Sequence, residues 1–493
     1  MNKIESALVS AINKYPQTPL VIAYSGGVDS QVLLHALAKL MHENKVLNPI
    51  VVCHVNHGLS NNAQQWQSFA EQQCQRLKLP LKTHQVHVQA QVQQSLEALA
   101  RTARYQSLQS IYKETSIILT GHHSDDQAET FLLALKRGSG LKGLSAMTLE
   151  SKRGKDFLVR PLLAITRAQI LDYAKTNKLT WVEDESNADI NFDRNFIRQK
   201  VIPLITTRWP SVVNTINRSS DHCREGQLLL DELAFEDLSL CQQQSVKKAK
   251  TLSVTALQQL SSARFNNLIR YFLGQNHCLM PSTEQLNQLK HQLNANSDKN
   301  PEVKVGESYF RRYKGDLYLT DNFKDISDWC VDLKSVEQTQ RIELPDNLGE
   351  VQFSVHVLNP INRSKHSDTQ KNEAKDQIKL IGRLERIEIQ QIEVNDRQST
   401  SNKHLMVILP NIKSKISIRF NHTNPTCLPD YRSHSRALKK ILQELNIPPW
   451  QRKRIPFLYY GDVLVAAIGY FVCQEFLIKV DESQCKITDG YFT

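Results

Sequence analysis

The chain has nine cysteines, and no two of them stand in a Cys-x-x-Cys spacing. That absence argues against zinc and iron–sulfur sites and against a disulfide framework. Scattered thiols of this kind suit a reducing compartment. No apolar run is long enough to span a bilayer. The opening residues, Met1-Asn2-Lys3-Ile4-Glu5, lack the pattern of an export signal. The expectation is a cytoplasmic protein with no membrane partner. Acidic residues are also in deficit, 50 against 61 Lys and Arg, which leaves a formal charge of +11 and favours a polyanionic partner. One lysine is missing as well. The run Ser25-Gly26-Gly27-Val28-Asp29-Ser30 has no Lys after its glycines, which excludes the Gly-rich loop of common ATPases.

That run is nevertheless the most informative part of the chain. It follows the apolar segment Leu20-Val21-Ile22-Ala23 and opens a helical pattern at Gln31-Val32-Leu33-Leu34. A strand ending in small residues at a helix start binds phosphate well. Gly26 and Gly27 let the backbone approach an anion, and the free N–H groups and dipole of the helix favour its charge. The hydroxyls of Ser25 and Ser30 add donors. Holding by amides and hydroxyls suits a pyrophosphate that leaves in one piece.

Short apolar runs at 20–24, 49–55, 81–88 and 116–121 read as strands, and patterns near 29–42, 61–77 and 95–113 read as helices. Alternation of this kind argues for an α/β domain with a parallel sheet covered on both faces. Ligands of such a sheet sit beyond the carboxyl ends of its strands. A second signature, Thr120-Gly121-His122-His123-Ser124-Asp125-Asp126-Gln127-Ala128-Glu129-Thr130, also follows a strand, so the two share one expected cleft.

The first run resembles the loop of the ATP-pyrophosphatase enzymes. The second resembles a run typical of the tRNA(Ile)-lysidine synthetase family. So do His54-Val55-Asn56-His57-Gly58-Leu59, Ala100-Arg101-Thr102-Ala103-Arg104-Tyr105, Arg160-Pro161-Leu162-Leu163 and the stretch from Trp181 through Asp184-Glu185-Ser186-Asn187 to Arg198. The resemblance implies a catalytic domain over 1–215 and a helical linker over 216–249. It further implies a tRNA-binding domain over 250–325, mainly helical, and a small β-rich tRNA-binding domain over 405–493. A connecting region, 326–404, carries a polar insertion from about Asn359 to His404. A flexible loop is expected around 362–376, and ordered structure from Gln377 to Val394.

The resemblance also implies a reaction. ATP adenylates the C2 oxygen of the wobble cytidine in a CAU-anticodon isoleucine tRNA. The amine of free L-lysine then displaces AMP, and codon and amino-acid identity change from methionine to isoleucine. ATP would be held by Ser25, Gly26, Gly27, Val28, Asp29 and Ser30. Mg²⁺ would be held by Asp29 and Asp126, because it takes one or two carboxylates; helix capping is the alternative for Asp125 and Asp126. The incoming amine must lose a proton, to His122, His123 or an Asp, and His123 is placed with Asp29 and Asp126 in the catalytic set. Glu129 either holds the lysine ammonium or faces solvent. Arg101, Arg104, Arg194 and Arg198 are expected to contact tRNA or nucleotide phosphates. Lys439, Lys440 and Arg452, with Trp450 among them, are expected to contact tRNA. A cytidine thiolase is the nearest rival, and the lack of paired cysteines counts against it.

Overall fold

A computed structural model describes residues 1–56, 58, 62–86, 96–243, 250–294, 302–333, 340–360, 384–392, 405–408, 415–477 and 485–487. The chain divides into two compact units, Met1–Asp237 and Leu238–Thr493. The division falls within a single helix, Val212–Gln243, which covers most of the expected linker.

The first unit carries a six-stranded sheet in the order β3-β2-β1-β4-β6-β5. Its strands are β1 (Leu20–Ala23), β2 (Ile50–Asn56), β3 (Leu81–Gln85), β4 (Ile117–Leu119), β5 (Glu150–Arg153) and β6 (Asp156–Val159). Neighbours pair in parallel except β5, which runs antiparallel to β6 along the edge. The expected parallel sheet is present, and that hairpin adds one antiparallel strand at its edge. Glu150-Ser151-Lys152-Arg153 is polar because an edge strand needs no apolar face, and so it left no apolar run to read.

Side chains alternate across the inner strands. Leu20 and Ile22 of β1 join one core with Ile117 and Leu119 of β4, while Val21 and Ile118 join another on the opposite face. The first core is filled by α1 (Lys3–Ile12), α2 (Val28–His42), α3 (Ala63–Leu77) and the helix Arg167–Thr176, and the second by α4 (Leu96–Gln109). Burial on both faces explains why these strands read as continuous apolar runs. Helix α2 is sunk into the first core along most of its length, with Leu33, Leu34, Leu37 and Leu40 fully buried. Each such leucine stabilises by about 1.5–3 kcal/mol, so the loop before α2 stands on a rigid base. Chain order reverses between β1 and β4, and a crevice opens beyond their carboxyl ends.

The second unit begins with helices Val254–Gln259, Ser262–Gln275 and Thr283–Leu293 over a four-stranded antiparallel sheet. Its strands Ser308–Tyr313 and Asp316–Asp321 turn at Lys314 and Gly315, both at positive φ, as the Lys-Gly pair predicts. Among the described residues three further sheets follow, two of five strands and one of two. In one, Glu350–Pro360 pairs with Leu384–Ile392, which agrees with order inside 377–394. The expected loop at 362–376 lies outside the described residues. The basic helix expected from Arg436 starts at Leu438, because Arg436–Ala437 pairs as a short strand with Thr426–Cys427. Eight cysteines among the described residues are free thiols. Among the described residues, no helix is long and apolar enough to cross a membrane.

Candidate active site

Among the described residues, several helix starts are closed by a side chain. Asn2, Thr166, Ser253, Ser261 and Ser282 each accept a bond from their helix. Helix α2 is among those left open: its N-cap is Gly27, and no side chain caps it. Its first amides are therefore left without a side-chain acceptor, the arrangement an anion requires. Ser30 Oγ donates to the Gly27 carbonyl at 2.9 Å and stands 3.2 Å from Ser25 Oγ, so both hydroxyls line the same turn. Gly26 adopts φ +87°, and a Cβ there would come 2.7 Å from Val182 Cγ2. Its carbonyl accepts from the Val182 amide at 3.1 Å, which pins the Trp181-Val182 stretch across the loop.

The second signature is pressed against the first. A Cβ on Gly121 would lie 2.9 Å from the Asp29 carbonyl carbon, so only glycine admits the contact. Two residues on, His123 caps α5 (Ser124–Lys136) by accepting from the Asp125 amide, and Asp126 accepts from the His123 amide at 3.0 Å. The capping alternative for Asp126 is thus realised. His123 is 1% exposed, and its Nε2 lies 3.5 Å from Asp29 Oδ1 and 3.4 Å from Asp126 Oδ2, with no hydrogen-bond partner among the described residues.

Charge is arranged tightly here. Burial opposes a charged His123, but Asp125, Asp126 and Asp29 outweigh it and raise its pKa. Burial works the other way on Asp126, and there His123 and Arg194 prevail and hold the carboxyl below the usual range. Burial wins at Asp29 and lifts its carboxyl despite His123 and Arg167. It also pushes His122 down to about 4, so of the two histidines named as bases one stays neutral at pH 7 and the other tends to hold its proton.

Glu129 is 1% exposed, which rules out a solvent-facing role. It accepts from Arg194 Nε at 2.8 Å and from Arg198 Nε at 2.5 Å, and both guanidiniums also reach Asp126 Oδ1, at 2.9 and 3.1 Å. The structure therefore spends Arg194 and Arg198 on carboxylates, where the sequence reading had aimed them at phosphates. Arg194 lies in Asp193–Phe196 and Arg198 in the π-helical turn Ile197–Val201, the kind of irregularity often found at functional sites.

Arg167 was not singled out from the sequence. Its Nη1 reaches both Asp29 oxygens at 3.3 and 3.4 Å, and its amide donates to Asp125 Oδ2 at 2.8 Å. A signal was present, since a cation at the first position of a helix opposes the dipole. A cleft of about 550 Å³ opens here, floored by Asp125, Glu129, Arg167 and Arg198 and walled by Ile202 and Pro203.

Of the other expected residues, Arg101 and Arg104 sit on α4, and the charge of Arg101 reaches His122. In the second unit Lys439 and Lys440 are exposed. Arg452 is not free: it donates to the Ile447 carbonyl at 2.7 Å and to Tyr313 Oη at 3.3 Å. Trp450 packs edge-on against Tyr313 and Tyr318, so its ring is part of this unit's packing.

An uncapped helix at a switch point, with an acidic turn locked onto it, defines a nucleotide-using enzyme of the PP-loop class, and a PP-loop domain model matches residues 1–205. Models of the TilS substrate binding domain and the TilS substrate C-terminal domain match 252–318 and 416–488. The tRNA(Ile)-lysidine synthase of Coxiella burnetii is 37% identical over 462 residues, 94% of this chain and 91% of that one. That of Edwardsiella ictaluri is 38% identical over 458 residues, 92% and 91% of the two chains. The chain belongs to the tRNA(Ile)-lysidine synthase family, and it is an ATP-dependent ligase that modifies tRNA. Among solved structures, the U34-tRNA thiolase NcsA from Methanococcus maripaludis is similar over 45% of this chain and 79% of that one, at TM-score 0.38 and 15% identity.

Proposed function

We propose that this enzyme joins free L-lysine to C2 of the wobble cytidine in the CAU-anticodon isoleucine tRNA. The C2 oxygen attacks the α-phosphorus of ATP and pyrophosphate leaves. The lysine ε-amine then attacks C2, loses a proton, and AMP departs with the oxygen as the C2–O bond breaks. The product pairs with A instead of G, so codon and amino-acid specificity change together. The observation that carries this reading is the open α2 amide terminus held against the Asp125-Asp126 turn through Gly121.

In this reading the amides of Val28 and Asp29 and the hydroxyls of Ser25 and Ser30 bind the departing pyrophosphate. Asp29 and Asp126 are the carboxylates that would hold Mg²⁺. The donor set fits, since both are hard oxygen donors, each within 3.5 Å of His123 Nε2, and the ion commonly takes only one or two protein carboxylates. When bound, it supplies charge neutralisation to the phosphates. His123 fixes the two carboxylates relative to each other. The cleft beside them suits lysine: Arg167 and Arg198 face its carboxylate, Asp125 an amine, and Ile202 and Pro203 its methylenes. Arg101, Arg104, Lys439 and Lys440 contact the tRNA backbone.

The test is incubation with ATP, labelled lysine and a panel of tRNAs, followed by mass spectrometry of the nucleosides. A lysine adduct on cytidine in the CAU-anticodon isoleucine tRNA is expected. Label in no tRNA, or a sulfur atom in place of lysine, would overturn the reading.

A further inference from the structure

The edge hairpin that the sequence concealed brings cations to the face of α4. Arg153, in the β5–β6 hairpin, lays its guanidinium 3.9 Å from the centre of the Tyr105 ring. Arg101 approaches the same ring at 5.3 Å, and its Nη2 lies 3.5 Å from Tyr105 Oη. Gln109 fixes the hairpin by donating to the Arg153 carbonyl at 2.8 Å. Arg160, at the end of β6, is 7% exposed; its Nη1 donates to the Thr148 carbonyl at 2.8 Å, and its Nε has no partner among the described residues. Neither Arg101 nor Arg153 has an ion pair among the described residues. The Lys155 ammonium donates to the Lys113 carbonyl at 2.8 Å, which places a further positive charge beside the hairpin.

We propose that α4 and the β5–β6 hairpin form a tRNA-backbone surface on the catalytic unit, with Arg153, set over Tyr105, as its central phosphate contact. The inference rests on the reading that tRNA is the substrate and adds where its backbone lies. Two arginines converging on one phenol repel each other, and an anion relieves that repulsion. Burial and then the charges of Arg101 and Arg153 depress the Arg160 guanidinium, which shows how close the like charges come. The surface has direction. Its Arg101–Arg160 end bears on His122, which feels both charges. From there it follows α4 toward Gln109 and the hairpin turn, roughly 12 Å for eight helical residues. A cytidine placed in the crevice would have its neighbouring backbone over this face. A polynucleotide fits better than free nucleotide, because Lys155 at the hairpin turn adds a charge beyond the cations gathered at Tyr105.

Arg153 also covers Tyr105, so a packing role must be separated from a phosphate role. Arg153→Met keeps the apolar cover and removes the charge, whereas Arg153→Lys keeps the charge. Binding of the full-length enzyme to the CAU-anticodon tRNA is measured across salt concentrations, with ATP affinity measured beside it. For Arg153→Met the expected result is a Kd raised about tenfold, a log Kd against log salt slope lower by about one, and wild-type ATP affinity. Arg153→Lys should restore the slope. Lys155→Gln, at an exposed position, provides the same readout if Arg153 variants fail to fold, with a smaller change expected. An unchanged Kd and slope in folded Arg153→Met and Lys155→Gln overturns the inference, and so does a shift confined to ATP affinity. If the wild type binds this tRNA but makes no lysidine, the functional reading falls, and a lowered slope still supports the basic face.

Discussion

Gly121 touches the backbone of Asp29 so closely that a single added methyl would meet the Asp29 carbonyl carbon at 2.9 Å, its oxygen at 3.0 Å and the Ser30 amide nitrogen at 3.1 Å. All three neighbours are main chain and cannot rotate away. Gly121→Ala must therefore push the acidic turn and the phosphate loop apart. A displacement near 1 Å at a reacting centre costs about 100-fold in rate. The expected outcome is a kcat lower by about that factor, with far-UV circular dichroism and tRNA affinity retained. Wild-type turnover in Gly121→Ala would show that the two loops do not act as one site.

Asp29 stands at the contact between those loops, with Arg167 and His123 turned toward it. Removing its carboxylate should stop adenylation while leaving tRNA held elsewhere. In Asp29→Ala, ATP-dependent lysine incorporation should vanish and the tRNA Kd should stay within about twofold, since no phosphate contact is lost. Loss of RNA affinity with retained turnover would reverse the division of labour.

Glu129 is the buried anchor of the arginine pair. Its side chain is 2% exposed, whereas Arg194 and Arg198 are each 31% exposed, so water reaches the guanidiniums but not the carboxylate. Breaking a buried pair costs about 3–5 kcal/mol, and partial solvation of the arginines places Glu129→Ala at the low end, about 3 kcal/mol. Urea unfolding should show a lower midpoint with an unchanged m-value. A midpoint within error of wild type would mean that the arginines find full compensation in solvent.

These ties explain what could and could not be read from the chain. Leu20, Val21 and Ile22 announced β1 because burial on both faces demands three apolar residues in a row. The open start of α2 was legible because glycine, serine and Asp act locally within one turn. The partners of Glu129 were not, since Arg194 and Arg198 lie 65 and 69 residues further on. The same holds for Trp450, whose basic surroundings suggest nucleic acid but whose ring is packed on Tyr318. The β5–β6 hairpin was missed because an edge strand carries no apolar signature. Local chemistry was visible, whereas pairings between distant segments required the fold.

His122 gives a pH test. Its ordinary pKa of 6.5 is pushed down to about 4 by burial. As pH falls below 6.5 the unfolded chain takes up a proton that the native site refuses, so native stability drops from pH 6.5 to about 4 and then levels off. The loss is on the order of 3 kcal/mol. His122→Asn keeps a polar ring-sized partner for Thr120 and removes the titration. The difference in unfolding free energy between wild type and variant should therefore change across that window in favour of the variant. A pH-independent difference would mean that the imidazole titrates near its ordinary value.

Lys440 and Arg452 should separate binding from packing within the second unit. Lys440 is exposed and lines a cleft of about 450 Å³ with Lys314 and Arg436. Arg452 is half-buried and committed to the Ile447 carbonyl and Tyr313 Oη. Lys440→Ala should lower the salt slope of tRNA binding by about one and leave the melting temperature unchanged. Arg452→Ala should do the reverse. It leaves the Ile447 carbonyl without its donor and costs about 1–3 kcal/mol in stability, with little change in slope. Titration of both variants with the CAU-anticodon tRNA over a salt series, beside thermal melts, checks the assignment. A slope change in Arg452→Ala equal to that in Lys440→Ala would return Arg452 to the RNA interface, because a guanidinium held only by packing releases no counterions.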